Sequence, residues 1–508
     1  MRCVLCVSYN PQQLPALLQH LADAYSADML LSMPPCDDDA PRATSVARCT
    51  DSDSNSNQTT GSDTSLCAGS KADEGNTAAP DAAQLIHSSI PHPMTESKFI
   101  IGIQPHASLC LAPETTREAL HAFCYGKNGP VIGYMSYTYG LLLHGVHSRN
   151  ATDFPPGILR RYRYIIKGDS RAGELRLLAA DSASKTCATT DLHGTACVVT
   201  EASDRLEGPS ATELITLLQR ADLPPVRRHV PFVSDGPLRH SQSKKEYLDG
   251  VRATRARIQA GDTYQLNLSI RFDLPLQDTP DTTALFMHLW QKRPAPFYAL
   301  LHDGPRTIVS TSPERFLQVR DRAVLTQPIK GTLAFDVWNE SLVETLTSSP
   351  KERAELSMIV DLLRNDISSR CEYDSVRVED HCSTFTVDRL IQMYTNVRGT
   401  LRKGCTPLDL LLDAFPGGSI TGCPKLRTMQ IIDALEPHSR DLYCGSIFYM
   451  DGPEYLDSSI AIRTGWHDAQ TRCFSWFAGS GLVIDSVPES EYAETIAKAR
   501  KFQEALQP

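Results

Sequence analysis

Hydrophobic positions recur with two periods along this chain, and the change of period marks its elements. "TYQLNLSIRFDL" alternates apolar and polar residues and predicts a strand. "KKEYLDGVRATRARIQAG", just before it, has the spacing of an amphipathic helix closed by Gly261. "FYALLHDGPRTIVSTSPERFLQVRDRAVLTQPIKGT" reads as successive strands joined by "HDGPR" and "RDR" turns, the second hairpin delivering Lys330 near a strand end. "VIGYMSYTYGLLL" (Val131 to Leu143) and "RYRYIIKG" (Arg161 to Gly168) predict further strands in the N-terminal half. The helix "PKERAELSMIVDLLRNDI" has Ser349 as its cap, Pro350 in its first turn and Glu352 to complete a capping box. Helices and strands interleave without a strict βαβ rhythm, so the expected fold is α+β on an antiparallel sheet. No internal repeat has a fixed period.

Composition divides the chain. Residues 1–33 form an N-terminal β-rich segment, and residues 34–93 are Ser, Thr, Asp, Asn and Ala with few large apolar residues. Such a stretch cannot bury enough surface to offset its chain entropy and is expected to be a disordered low-complexity insertion. Residues 94–235 continue the N-terminal region, a polar stretch from Leu223 to Ser243 follows, and 244–508 carries the sharper signals. A net charge of -10 and an acidic pI argue against nucleic acid or an anionic membrane as the main partner. "MRCVLCVSYNPQQ" has too short an apolar run for a secretory leader, and the fifteen cysteines are scattered, which points to a reducing cytoplasm. Cys3 and Cys6 form a lone CxxC without a second pair, so they are expected in a buried strand and not at zinc. No apolar run approaches the roughly 18 to 20 residues of a spanning helix.

Candidate chemistry lies in the last part of the chain. Glu355 shares a helix face with Met358, Ile359, Leu362 and Leu363. A carboxylate there either faces the interior, where it needs a cation, or reaches solvent from the edge of the stripe. In "PESEYAETIAKARKFQEAL", Glu491, Glu494 and Lys498 share a face, and Glu494 with Lys498 also reads as an ordinary i,i+4 surface pair. Glutamates on two such helices offer the hard oxygen donors Mg²⁺ prefers, although spacing does not say whether the helices meet. "FPGGSITGCPKLRTMQIIDAL" is not a nucleotide-binding Walker loop, yet Gly417, Gly418 and Gly422 before Pro424 leave amides able to converge on an anion. "FAGSGLV", with Gly479, Ser480 and Gly481, reads as a small-residue turn offering backbone donors, or as a plain connector. Arg463 alternates out of the strand "SSIAIRTGW" and suits a bidentate grip on a carboxylate. Glu314, after the Ser-Pro turn of "STSPERFLQV", is a general acid or a solvated turn carboxylate. Lys330 is a turn residue, a nucleophile, a base or a carboxylate clamp.

Taken in order, "GDTYQLNLS", "RPAPFYA", "SPERF", "PIKGT", "AELSMIVDLLRNDI", "FPGGSITGCPKLRTMQIIDALEP", "YCGSIFYM", "SIAIRT" and "AGSGLVIDSVPESEYAET" resemble the chorismate-utilising enzyme family, over the region from Lys244 to the end. The resemblance implies an anthranilate-synthase-like antiparallel β-sandwich with helices packed outside. It implies that Glu355 and Glu494 hold Mg²⁺, with Glu491 close by and acting through water. Gly331, Thr332, Thr421, Tyr443, Arg463, Gly479, Ser480, Gly481 and Lys498 would line the chorismate site, and Glu314 would protonate the departing ring hydroxyl.

Two positions separate the branches of this family. Members that make anthranilate have Pro-Ile-Ala-Gly-Thr, whereas Lys330 resembles the lysine of members that aminate chorismate at C4. There the amine attacks C2 as the 4-hydroxyl leaves, and ammonia enters at C4 and expels the lysine. Members that use water have a lysine base where this chain has Gln265, which is therefore expected to line the site and to leave ammonia as nucleophile. The implied product is 4-amino-4-deoxychorismate, on the way to 4-aminobenzoate and folate. Gln392 stands where the family has a histidine, a further argument against pyruvate elimination, and no tryptophan-sensing Leu-Leu-Glu-Ser element is found. No Gly-x-Cys-x-Gly motif surrounds a cysteine, so ammonia is expected from a separate glutamine amidotransferase subunit, and with Pro508 immediately after the last helix no fused lyase is expected. The competing readings are an anthranilate-forming enzyme and a non-catalytic chorismate-binding regulatory subunit.

Overall fold

The alternation of "TYQLNLSIRFDL" becomes the strand Gln265–Pro275, whose two faces are buried in different ways. Leu266, Leu268, Ile270, Phe272 and Leu274 enter an apolar core, whereas Gln265, Asn267 and Ser269 are buried polar residues turned the other way. The antiparallel strand Cys473–Leu482 repeats this division, with Phe474, Trp476, Ala478 and Leu482 on the apolar side and Gly479 and Gly481 paired with Ser269 and Asn267. "FAGSGLV" is thus the end of a strand and not a turn; its glycines are small because of what they face.

The computed structural model of the chain describes residues 1–33, 98–126, 129–169, 173–180, 199–201, 208–220, 222–292, 295–387 and 390–507, and the expected insertion at 34–93 lies outside them. Every pairing between the described strands is antiparallel, as expected for the α+β class. From Gln265–Pro275 the ladder runs through Cys473–Leu482, Thr464–Asp468, Arg306–Ser312, Phe297–Asp303 and Asp28–Met33 to the long strands Lys98–Cys110 and Gly157–Asp169. It continues through Val131–Met135, Ser446–Met450, Tyr455–Ile460, Arg315–Arg320 and Ala323–Gln327 to Leu390–Thr400, which also carries Ile329–Ala334 and Arg377–Val387. N-terminal strands therefore hydrogen-bond directly to strands of the C-terminal region. The helices Lys244–Gln259 and Pro488–Leu506 cover the first branch, and Pro350–Ser368 packs against the second.

Local readings change in four places. The run from Val131 is a strand only to Met135; Ser136 accepts from Tyr139 N at 3.3 Å and caps the helix Tyr137–Leu143. Aromatic residues that favour strands are here overridden by a capping serine. Cys3 and Cys6 do lie in a strand, Arg2–Ser8, but they are exposed. Ser349 caps Pro350–Ser368 by accepting from Glu352 N at 3.4 Å, but the reciprocal arm of the box is absent. Arg463 sits in a bend between the strands Tyr455–Ile460 and Thr464–Asp468, with φ +48, rather than within a strand.

Candidate active site

Glu314 follows a strand of the first branch and opens one of the second, between Arg306–Ser312 and Arg315–Arg320. It is buried, and its Oε1 accepts from Ser419 Oγ at 2.8 Å. Burial pushes its carboxyl up, while Lys330, the Ser419 hydroxyl, Lys498 and Arg463 only partly offset that cost. A carboxyl held toward its neutral form and surrounded by cations is equipped to give a proton to a leaving group. Ser419 comes from the short helix Gly418–Thr421, where Thr421 is buried and its Oγ1 donates to Gly417 O at 2.9 Å. Gly422 closes that turn at φ +138, and a β-carbon there would meet Gln265 O at 2.2 Å. Gln265 is itself buried at the start of its strand.

Lys330 reaches the same region from Ile329–Ala334. Its pairing with Leu390–Thr400 sets Lys330 against Met393 and Thr332 against Gln392, leaving Gly331 as the extra residue of a bulge at φ +72. A β-carbon on Gly331 would stand 3.1 Å from Glu352 Oε2 and 3.2 Å from Leu346 and Met393 side-chain atoms. Glu352, read from the sequence as a capping residue, instead lends its carboxylate to the wall behind Lys330. The Lys330 ammonium stands 3.5 Å from where Gly481 would carry a β-carbon, and its charge acts on Glu314, Glu355 and Glu494.

The glutamates of the two helices do converge. Glu355 is half-buried and lies 3.7 Å from Lys351. Burial raises its carboxyl, with Glu352 and Glu491 adding repulsion against the pull of Lys330 and Lys351. Glu491 is buried. Glu494 is half-exposed and pairs with Lys498 at 2.6 Å; partial burial works against its charge, but Lys498, Lys330 and Lys351 outweigh it and hold the carboxyl below its usual range. Lys498 also donates to Gly479 O at 3.2 Å. The ordinary helix pair seen in the sequence is thus real, and it stands at the rim of the site. Crowded carboxylates whose repulsion raises Glu355 are a donor set that suits a hard divalent cation. Among the described residues no three such side chains are already drawn together as a coordination shell, and Glu494 is engaged by Lys498.

Tyr443 stands beside Gly479, where a β-carbon would come within 2.8 Å of its hydroxyl. It is buried, its ring stacks on Phe477 at 5.3 Å and 9°, and its hydroxyl accepts from Asn267 Nδ2 at 3.2 Å. Arg440 stacks between Tyr137 and Tyr443 and is paired with Glu436 at 2.9 Å, which in turn accepts from Ser269 N and Oγ. His438 lies 3.7 Å from Glu436, but burial pushes its imidazole down to about 4, so it is neutral at pH 7. Asn267, Ser419 and this network carry no signal singled out in the sequence, and Glu352 is read there only as a cap; Asn267 is findable, since it lies two residues beyond Gln265 on the same strand face.

Other positions divide. Ser480 turns away from the site: its Oγ lies 3.1 Å from Tyr247 Oη on the helix-covered face, because strand alternation opposes it to Gly479 and Gly481. The Arg463 carbonyl accepts from Thr311 N and Oγ1, both at 3.0 Å, which holds a non-glycine residue in the left-handed region, a strain typical of functional sites. Thr332 is exposed.

The model of the chorismate binding enzymes matches residues 80–504. Over 281 residues the chain is 40% identical to aminodeoxychorismate synthase component 1 of Klebsiella aerogenes, covering 54% of this chain and 61% of that protein. It is 38% identical over 273 residues to anthranilate synthase component 1 of Thermus thermophilus, covering 52% and 57%. The matches thus span about three fifths of these relatives' length. The crystal structure of anthranilate synthase component I from Streptococcus pneumoniae shares the fold, with a TM-score of 0.65 at 24% identity over 81% of this chain and 92% of that one. An antiparallel scaffold of that kind, with an acid, an amine and clustered glutamates in its cleft and a family model matching most of its length, places the chain among the chorismate binding enzymes.

Proposed function

We propose that the protein aminates chorismate at C4 with ammonia, forming 4-amino-4-deoxychorismate. The observation that carries this reading is the Lys330 amine acting on the buried Glu314, whose carboxyl burial raises, on the face that Gly481 leaves open. The reactive state has one proton on Glu314 and none on Lys330. Lys330 Nζ forms a bond to C2, the ring double bonds shift, and the C4–O bond breaks with the Glu314 proton going to the departing hydroxyl as water. Ammonia then bonds to C4, the double bonds shift back and the C2–N bond breaks. The amine of Lys330 is restored, and the excess proton of the new ammonium returns to Glu314. The enolpyruvyl ether is untouched.

Arg463 and Lys498 supply fixed positive charge for the two substrate carboxylates. Glu355 and Glu494 would hold Mg²⁺, with Glu491 behind them. The ion would supply a Lewis-acidic anchor for a substrate carboxylate. In this reading ammonia comes from a glutamine amidotransferase subunit, the product feeds 4-aminobenzoate and folate synthesis, and the compartment is the cytoplasm; no helix among the described residues is long and apolar enough to cross a membrane.

The test is incubation of the purified chain with chorismate, Mg²⁺ and ammonium at mildly alkaline pH, with the product identified by mass spectrometry. An aminated product retaining the enolpyruvyl group is expected, and Lys330→Ala should abolish it. Anthranilate from the wild-type chain would overturn the assignment, as would full 4-amination by Lys330→Ala for the covalent step.

A further inference from the structure

Gln392 lies on Leu390–Thr400, across from Thr332 on one side and Phe385 on the other, and is 3% exposed. Its Nε2 donates to Thr332 Oγ1 at 3.4 Å. Its Oε1 is buried and has no hydrogen-bond partner among the described residues. Buried acceptors in native proteins are nearly always paired, and such an orphan calls for a partner from outside the chain.

Its place narrows what that partner is. The Gly331 bulge sets Lys330 and Thr332 against the adjacent residues Met393 and Gln392, so the orphan oxygen belongs to the strand directly beside the lysine. Chorismate presents carboxylates and an ether, which are acceptors; the donors brought to the reaction are its ring hydroxyl and the N–H groups of ammonia. An amide oxygen accepts a hydrogen bond without taking the proton, so it can orient such a group without acting as a base. We propose that Gln392 Oε1 accepts a hydrogen bond from the group exchanged at C4, an N–H of incoming ammonia or the O–H of the departing hydroxyl. Gln392 is then a substrate-contacting residue that orients the exchange. This rests on the amination reading above.

The experiment compares the wild-type chain with Gln392→Met, which keeps the length of the side chain but has no comparable acceptor, and Gln392→Glu, which keeps one. The Michaelis constants for ammonium at saturating chorismate, and for chorismate at saturating ammonium, are measured with the aminated product as readout. Gln392→Met should raise one of them about threefold to tenfold, the loss of a single neutral hydrogen bond. Gln392→Glu should stay near wild type for that same substrate. A rise for ammonium identifies the N–H as the donor, and a rise for chorismate the hydroxyl. Unchanged constants for both substrates in a folded Gln392→Met protein overturn the inference. If that variant does not fold, Gln392→Asn, which withdraws the acceptor by one methylene, must give the same rise, and its failure to do so is equally decisive. A wild-type chain that yields no aminated product defeats the parent reading, and that outcome is visible before any variant is compared.

Discussion

Gly479 and Gly481 look interchangeable in the sequence, yet alanine at the two positions should have opposite consequences. A β-carbon on Gly479 would stand 2.6 Å from Leu268 O and 2.8 Å from Tyr443 Oη. Backbone cannot yield there without parting Cys473–Leu482 from Gln265–Pro275, so Gly479→Ala should cost about 1–3 kcal/mol of stability, as overpacking of a filled interior does. A β-carbon on Gly481 would meet only Lys330 Nζ, at 3.5 Å, an ordinary contact. Gly481→Ala should therefore fold with equal stability, or gain about 0.4–1 kcal/mol by restricting the unfolded chain. Its methyl would, however, occupy the approach to the Lys330 amine, where a misplacement of about 1 Å costs on the order of 100-fold in rate. Urea denaturation and steady-state kinetics with chorismate and ammonium separate these effects. If Gly481→Ala keeps its kcat/KM, the substrate does not pass between Gly481 and Lys330, and the placement of the reaction is wrong.

Glu314→Gln should lower kcat by about 100- to 10,000-fold with little change in the chorismate KM. Because the Glu314 carboxyl must carry its proton and burial raises its pKa, wild-type activity should fall as pH rises through that raised value. Residual Glu314→Gln activity should lack that alkaline limb, and retention of the limb would assign the proton elsewhere. His438 has a folded pKa of about 4, below the ordinary 6.5, so the stability it contributes is complete above pH 6.5 and is lost as pH falls toward 4. The loss amounts to about 3 kcal/mol, and His438→Asn should flatten this part of a stability profile measured by chemical denaturation. Lys425 pairs with the buried Asp366 at 2.9 Å, so Lys425→Met should cost about 3–5 kcal/mol at neutral pH by leaving a buried carboxylate unpaired. Thermal unfolding would show the deficit shrink in mild acid, where Asp366, whose carboxyl is already raised by burial, takes up a proton.

Strong periodicity made most of the sheet and the helices legible: Gln265–Pro275, the hairpin strands leading to Lys330, and the helices bearing Glu355 and Glu494 all stand where the pattern put them. What failed depended on contacts far along the chain. The helix after Ser136 was hidden because its aromatic residues suit a strand equally well. The direction of the Ser480 side chain is likewise hidden, because a small-residue run does not disclose which members face which way until the strand is recognised. Arg463 was placed on a strand, although the bend that holds it is fixed by hydrogen bonds from Thr311, remote in sequence. The Glu436–Arg440 pair and the Asn267 contact to Tyr443 likewise bring together residues whose partners no local pattern names.

The strand Gln265–Pro275 keeps its two duties on alternate residues. Leu266, Leu268, Ile270, Phe272 and Leu274 are committed to the core, and Gln265, Asn267 and Ser269 to the polar cleft and its supports. A lineage can therefore rewrite the cleft side residue by residue while the foundation stays intact, so that new chemistry need not be preceded by a new fold. A one-residue slip, by contrast, would exchange the two sets at a stroke. Inheritance on such a strand is forgiving of substitution and intolerant of insertion.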